Sequence, residues 1–251
     1  MLAEERFDLI LDLMREKRSA TVQELCEALN ASESTIRRDL TVLDRNGLLH
    51  KVHGGATLPQ GQFLADEPAM EAKQETAVAE KLAIAQLAAG LIRADDFVFI
   101  DAGSSTLQLV KALRGDALQA RYVTNGAPHA LLLAQKGCKV FLPGGQIRPN
   151  TEAIVGVGAL QGLQHYHFTK AFMGANGVTV EGGFTTPDVE EALLKAAAVA
   201  RARQSWFLVD DSKFGRLYAA VICPLADGGI LTNCLPDEEY RQATPIKEAQ
   251  L

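Results

Sequence analysis

The amino-acid sequence predicts an α/β chain in two domains: a small head of three helices and a β-hairpin, then a mostly parallel sheet covered by helices. Three observations carry that expectation. Apolar residues repeat at helical spacing three times before residue 46, a Gly-Gly turn flanked by β-forming residues follows, and from about residue 75 short apolar runs alternate with helical stripes. A length of 251 residues suits a small domain plus a medium one. With 47% hydrophobic and 22% charged residues, the composition excludes disorder, collagen and a long coiled coil. No apolar run approaches the roughly 18 residues of a membrane span. The N-terminus carries Glu4 and Glu5 where a signal peptide would place a basic region and then an apolar one, which predicts a cytoplasmic protein.

In the head, Phe7, Ile10, Leu11 and Met14 lie on one helical face, closed by the basic cluster Arg15-Glu-Lys17-Arg18. Thr21 and Glu24 have the spacing of a capping box, and Val22, Leu25, Cys26 and Leu29 form the next stripe. Only Asn30 and Ala31 separate this helix from Ser32, a good N-cap for a third helix over residues 33–45. Two helices joined by so tight a turn outline a helix-turn-helix. In the third helix Ile36, Leu40 and Leu43 share one face, while Ser34, Arg38, Thr41 and Arg45 share the other, with Thr35 and Arg37 at its flanks. Short hydroxyls and arginines on one face suit phosphates and base edges, although a merely solvated face reads the same way. Gly47 then ends the helix, and residues 48–58 have β character around Gly54-Gly55. The polar members of that hairpin, His50, Lys51 and His53, include no acid. His50 and His53 could form a metal pair, but no third ligand stands nearby.

Charge argues the other way. The chain carries 25 basic against 31 acidic residues, a net −6, and residues 1–57 hold eight Lys/Arg against ten Asp/Glu. Any positive surface for nucleic acid is therefore local. The four cysteines, Cys26, Cys138, Cys223 and Cys234, are scattered without a CxxC pair, so neither a disulfide framework nor a metal or other cofactor is expected.

Residues 59–74 are polar and turn-rich and read as a linker between a head at 1–58 and a second domain at 75–251. In that domain Val78, Leu82, Ala85, Ala89 and Ile92 form a helical stripe, followed by the strand Phe97–Ile100. Next come a helix at 105–114, the strand Tyr122-Val-Thr, a helix at 127–135 and the strand Lys139-Val-Phe-Leu. Strands at 169–174, 205–210, 218–222 and 229–232, with a long helix at 188–203, complete the alternation. Ligands of such sheets bind at the carboxyl ends of the strands. There, Asp101-Ala-Gly-Ser-Ser-Thr106 joins a strand directly to a helix, so Gly103, Ser104, Ser105 and Thr106 could cradle a phosphate at free helix N–H groups, or simply cap the helix. It lacks the lysine of a nucleoside-triphosphate loop. Thr124-Asn125-Gly126, Pro143-Gly144-Gly145 and Asp210 to Gly215 bring further small or polar groups to the same end. Lys195 and Lys213 are the candidate cations, against plainer readings in which Glu191 and Lys195 form an exposed i,i+4 pair and Lys213 is a solvated loop residue.

Taken in order, Arg6, the run Ser32-x-x-Thr35-Ile36-Arg37-Arg38-Asp39-Leu40 and Val52-His-Gly-Gly-Ala56 resemble the winged helix of the DeoR family of bacterial repressors. The resemblance implies that residues 33–45 read double-stranded operator DNA through Ser32, Ser34, Thr35, Arg37, Arg38, Thr41 and Arg45, with Lys51 and His53 on the wing. The second domain resembles the sensor domain of the same family, which is similar in fold to ribose-phosphate isomerases and binds phosphorylated sugars. Gly182-Gly-Phe-Thr-Thr-Pro-Asp-Val-Glu-Glu-Ala-Leu-Leu-Lys195, Val123-Thr-Asn-Gly126 and Ser212-Lys-Phe-Gly215 look closest to the fructose-operon repressors. The resemblance thus implies a sugar-phosphate effector, fructose 1-phosphate foremost, contacted by Asp101, the Gly103–Thr106 turn, Thr124, Asn125, Gly144, Gly145, Glu190, Lys195, Asp210 and Lys213. It also implies a final apolar strand, from which the polar ending Ala243-Thr-Pro-Ile-Lys-Glu-Ala-Gln-Leu251 departs.

A sugar-phosphate isomerase is the alternative. Aldose–ketose interconversion needs a carboxylate base and a second group to move hydroxyl protons. Enzymes of similar fold carry acids where this chain has Met173 and Asn176, and Glu190 or Glu191 alone does not restore a pair. The expectation is a ligand-controlled repressor, paired in a homo-oligomer, without catalysis.

Overall fold

The structure, a computed structural model, describes residues 3–17, 19–45, 48–52, 54–57, 63–64 and 70–250. The chain divides into two units, Met1–Gln62 and Phe63–Leu251.

The first unit runs α1 (Ala3–Lys17), β1 (Ser19–Thr21), α2 (Val22–Leu29), α3 (Glu33–Arg45), β2 (His50–Val52) and β3 (Gly55–Thr57). The capping box forms: the Thr21 hydroxyl accepts the Glu24 N–H at 3.2 Å, and the Glu24 carboxylate accepts the Thr21 N–H at 2.7 Å. Asn30, in the left-handed conformation, ends α2, and the Ser32 hydroxyl accepts the Thr35 N–H at 3.3 Å as α3 begins. Ile10, Met14, Leu25, Ile36, Leu40, Leu43 and Leu49 are buried together, so the three stripes meet in one core. The hairpin is part of a three-stranded antiparallel sheet, β1-β3-β2. Its third strand, Ser-Ala-Thr, is too short for a sequence signal. Gly55 makes that pairing possible, because a Cβ there would stand 2.3 Å from the Ala20 carbonyl oxygen. The Arg15 to Arg18 side chains, Gly47 and His53 lie outside what is described.

The second unit is built on a seven-stranded sheet in which every neighbouring pair is parallel. Its strands are β5 (Phe97–Ile100), β6 (Arg121–Thr124), β7 (Lys139–Phe141), β10 (Phe168–Gly174), β13 (Ala202–Leu208), β16 (Gly229–Thr232) and β17 (Ile246–Glu248), in the order β17-β16-β13-β10-β5-β6-β7. Helices α5 (Val78–Ala89), α6 (Ser104–Ala112), α7 (Ala127–Gln135), α8 (Val157–Leu163) and α9 (Val189–Val199) connect them, with α10 (Glu239–Ala243) before the edge strand. Strand alternation feeds two cores. Phe99, Met173 and Phe207 enter one; Val98, Ile100, Phe172 and Leu208 enter the other.

Several expectations change. The buried face of α5 is Lys81, Ile84, Ala85 and Ala88, whereas Val78 and Leu82 are exposed: two apolar residues of the stripe were misleading because a lysine takes the inside. The helix expected to reach residue 203 stops at Val199, since Trp206, Phe207 and Leu208 need an extended approach from Ala202 to complete the sheet. The strand expected at 218–222 leaves the main sheet. It divides into β14 (Leu217–Tyr218), paired with β4 (Phe63–Leu64), and β15 (Ala220–Cys223), which joins β11 (Gly177–Thr179) and β12 (Gly183–Thr186) in an antiparallel sheet. β8 (Gln146–Ile147) and β9 (Ile154–Val155) form a small antiparallel pair. The stretch read as a linker carries β4 and α4 (Met70–Glu75), while residues 59–62 and 65–69 lie outside the described residues. The polar ending still supplies the edge strand β17, because an edge needs only one buried flank.

Candidate functional site

On α3 the structure separates free groups from engaged ones. Ser34, Arg38 and Arg45 are exposed, and neither arginine has an ion pair or hydrogen bond through its side chain among the described residues. Arg37 is exposed but paired with Glu33, at 2.9 Å from Nε and 2.6 Å from a terminal nitrogen. Such an i,i+4 pair is worth only about 0.3–0.5 kcal/mol, so a phosphate could exchange for it. The Ser32 hydroxyl lies 3.0 Å from that of Ser34 and 2.8 Å from that of Thr35. Thr41 and Lys51 have a different part. The Lys51 ammonium donates to the Thr41 hydroxyl at 2.8 Å, and its N–H donates to Asp44 at 3.1 Å, which ties the wing strand β2 to α3. His50 Nδ1 lies 3.5 Å from the same Asp44 carboxylate. A half-buried two-point pair between Arg6 and Asp39, at 2.5 and 3.1 Å, fixes α1 to the inner side of α3 and holds the Arg6 guanidinium above its ordinary pKa. The third helix is thus clamped on its inner face while its outer face keeps two unpaired guanidiniums.

In the second unit the loop after β5 enters α6 at Ser104. Asp101 is fully buried: one oxygen accepts the Lys195 ammonium at 2.8 Å and the Gly174 N–H at 3.1 Å, while the other has no partner. Burial raises the Asp101 carboxyl above the usual range, against the pull of Lys195 and of the Gly174 and Ala102 N–H groups. The Thr106 hydroxyl turns inward, donating to the Asp101 or Gly103 carbonyl at 2.6 and 2.9 Å, and so shapes the loop without facing a ligand. His129 on α7 completes that support. Its Nε2 lies 3.1 Å from the Gly103 carbonyl and 3.2 Å from the Thr106 hydroxyl. Burial pushes its pKa down to about 4, so the ring is neutral at pH 7. Ser104 and Ser105 remain, their hydroxyls beside the first amides of α6 and facing a cavity.

That cavity gathers residues from distant parts of the chain: Met70 and Lys73 of α4, the 102–105 turn, Thr151, the 174–176 strand end, Glu191 and Lys195 of α9, and Lys213. Glu191 accepts the Thr151 hydroxyl at 2.7 Å and lies 3.6 Å from Arg148, which also pairs with Asp188. Asn176 accepts the Thr186 hydroxyl at 3.0 Å. The Lys213 ammonium has no hydrogen bond or ion pair among the described residues, and burial beside Lys81 and Lys73 pushes it down to about 8, against the attraction of Asp210.

Of the expected ligand residues, Gly103, Ser104, Ser105, Lys195 and Lys213 line this one cavity, and Asp101 sits beneath it. The others do not. Asn125 is consumed in structure, accepting the Ala102 N–H at 2.9 Å, and the Thr124 hydroxyl accepts the Gly126 N–H at 3.1 Å. Gly144 and Gly145 are exposed and lie against Val155 and α8 rather than the cavity. Glu190 is exposed, and its neighbour Glu191 takes the inward position. Asp210 is buried and acts on Lys213 through charge. The reading of Glu191 and Lys195 as an exposed pair is overturned, since they are 2% and 3% exposed. Sequence reasoning missed Met70, Lys73, Thr151 and His129. A signal for α9 was present: Val189 and Leu193 face solvent while Glu191 and Lys195 face inward, an inverted polarity that marks a cavity-facing helix.

Residues 6–62 match the family model of the DeoR-like helix-turn-helix domain, and residues 76–232 match that of the DeoR C terminal sensor domain. A protein named as an uncharacterized HTH-type transcriptional regulator, FruR, of Bacillus subtilis is 38% identical over 250 residues, 98% of each chain. Lactose phosphotransferase system repressors of Streptococcus mutans and Staphylococcus aureus are 31% and 32% identical, covering 99% and 94% of this chain and 99% and 93% of their own. All three are named as regulators or repressors rather than enzymes. Among solved structures, a ribose 5-phosphate isomerase of Methanocaldococcus jannaschii aligns over 53% of each chain at 18% identity and a TM-score of 0.41. With family models matched in both units and nearly its whole length shared with named regulators, the chain belongs to the DeoR family of helix-turn-helix transcriptional regulators.

Proposed function

We propose that the chain represses a sugar-utilisation operon and that its second unit binds a phosphorylated sugar, fructose 1-phosphate being the first candidate. The observation that carries the reading is Lys213: a half-buried ammonium with no hydrogen bond or contact ion pair among the described residues, held near pKa 8 at a cavity whose facing wall is two serine hydroxyls and the N-terminus of α6. A dianion placed there satisfies the hydroxyls and amides, stabilises the charged form of Lys213 and meets Lys73. Lys195 serves differently, since Asp101 already neutralises it. Thr151, Asn176 and Glu191 line the remaining wall, where a polyol finds both donors and acceptors. The choice of fructose rests on the resemblance of Gly182–Lys195 to the fructose-operon repressors, and the likeness to lactose phosphotransferase system repressors supports a sugar in general.

The first unit binds double-stranded operator DNA through Ser34, Arg38 and Arg45, with Arg37 exchanging Glu33 for a phosphate and Lys51 holding the wing in place. Two copies in a homo-oligomer present paired helices to a two-fold operator. Control follows if the sugar phosphate binds one arrangement of the paired heads better than the other. Isomerase chemistry fits poorly: Met173 is buried in the core, Asn176 is an amide, and Glu191 is the one carboxylate lining the cavity. Titration calorimetry of the full chain with fructose 1-phosphate, fructose, glucose 6-phosphate and inorganic phosphate tests the reading. Binding of a sugar phosphate well above free fructose is expected. Equal affinity for fructose and its phosphate refutes the phosphate site, and preference for another sugar phosphate refutes only the choice of fructose.

A further inference from the structure

The cavity is too small for the ligand proposed. It holds about 40 Å³, against roughly 300–1,000 Å³ for sites that take small molecules and about 30 Å³ for one water in the liquid. A wall must therefore move, and the walls are not equally free to do so. The 102–105 turn, the 174–176 strand end and α9 belong to the sheet and its covering helices. Met70 and Lys73 belong to α4, six residues outside that framework. Among its described polar attachments to the rest of the unit, two engage the main chain at its two ends. The Met70 N–H donates to the Asn150 carbonyl at 2.9 Å, and the buried Lys81 ammonium donates to the Lys73 carbonyl and, at 2.7 Å, to the Thr76 carbonyl just past the helix.

Between α4 and α5 stands Ala77, at φ 51 and ψ 48, a left-handed conformation that an alanine adopts only under constraint. The preceding element, β4, pairs with β14, which begins four residues after Lys213. Of the two elements through which the chain enters this unit, α4 thus carries one cavity lysine, Lys73, and β4 pairs with the strand that follows another, Lys213.

We propose that α4 is a lid on the ligand pocket, hinged at Ala77, that must swing away to admit a sugar phosphate, and that this displacement is the movement passed along the chain towards the DNA-binding unit. The proposal rests on the sugar-phosphate reading of the pocket. Lys73 gives the lid its ligand sensitivity, because its ammonium follows the phosphate while its carbonyl is held by Lys81. Leaving the closed position breaks the bonds to Asn150 and Lys81 and releases Ala77 into an ordinary backbone conformation, so hinge strain offsets part of the cost of opening.

Two variants of the full chain test this. Ala77 does not line the cavity, so Ala77→Gly changes the hinge and leaves the pocket lining as it is. Glycine removes the left-handed strain from the closed state, and affinity for fructose 1-phosphate should fall by about 5–30-fold, with unliganded operator binding unchanged. Parent-like affinity overturns the hinge. The second variant carries Met70→Cys and Asn150→Cys, in a background with Cys26 and Cys234 replaced by serine, to tie the lid shut. The oxidised protein should bind neither fructose 1-phosphate nor glucose 6-phosphate by calorimetry, and its operator complex should ignore both, while reduction of the same variant restores binding and response. Binding by the oxidised protein as tight as by the reduced one overturns the lid. If the parent itself binds neither sugar phosphate nor inorganic phosphate, the proposed function fails, and the lid with it.

Discussion

Replacing Arg38 by alanine takes away an exposed guanidinium that holds nothing among the described residues. Alanine is the best helix former, and the inner face of α3, with Ile36, Asp39, Leu40 and Leu43 buried, is untouched, so stability should stay within about 0.5 kcal/mol of the parent. Operator binding should weaken by about 1–3 kcal/mol if the arginine reads a guanine edge with two hydrogen bonds, or roughly 5- to 160-fold in Kd. Arg37→Ala should cost less, because that side chain must first leave Glu33. Fluorescence anisotropy with an operator duplex and a scrambled duplex at one salt concentration separates base reading from phosphate binding. If Arg38 reads a base, its removal narrows the gap between the duplexes. If it only binds a phosphate, its removal weakens both equally and lowers the salt slope by about one. A folded Arg38→Ala protein that matches the parent on both duplexes at every salt concentration refutes the assignment of α3 as the reading element.

Ser105→Asp puts a carboxylate where the phosphate sits; it should abolish sugar-phosphate binding in calorimetry while anisotropy shows unchanged operator affinity. Sugar-phosphate affinity should also depend on pH through Lys213, being greatest near pH 7, where the phosphate is largely a dianion and the ammonium is still protonated, and falling as pH rises through about 8. That alkaline loss should vanish in Lys213→Met. His129 should appear in stability. Its folded pKa of about 4 lies below the unfolded value near 6.5, so the unfolded chain binds the extra proton and stability falls as pH drops below 6.5. Urea unfolding at pH 7 and pH 5 should show a loss of about 2 kcal/mol that His129→Leu lacks.

The head was legible almost to the residue, because its signals are local: the capping box at Thr21 and Glu24, the apolar spacing of Ile36, Leu40 and Leu43, and the Gly-Gly turn each act within a few positions. What escaped there were pairings across the chain, such as Arg6 with Asp39 and Lys51 with Thr41. In the second unit the short apolar strands announced the parallel sheet, but α5 misled because Lys81 is buried and Leu82 exposed, the reverse of hydrophobic patterning. The cavity lining was legible where one loop carries it, at Gly103 to Ser105. It was not legible where folding brings single residues from afar: Met70, Lys73 and Thr151 have no neighbours in sequence that mark them. Thr124 and Asn125 were misassigned for a related reason. A polar strand end serves equally to hold the next loop, and Asn125 spends its amide on the Ala102 and Ile154 backbones.

The central claim is that one chain couples a sugar phosphate to operator DNA. Its most direct test is the Kd of the full chain for its operator, measured by anisotropy with fructose 1-phosphate titrated at constant ionic strength. The account predicts a saturable weakening of about 5- to 150-fold, the usual range of coupling between two sites, which free fructose does not produce and Ser105→Asp abolishes. A Kd unmoved by fructose 1-phosphate and every other sugar phosphate, or one that still responds in Ser105→Asp, contradicts it.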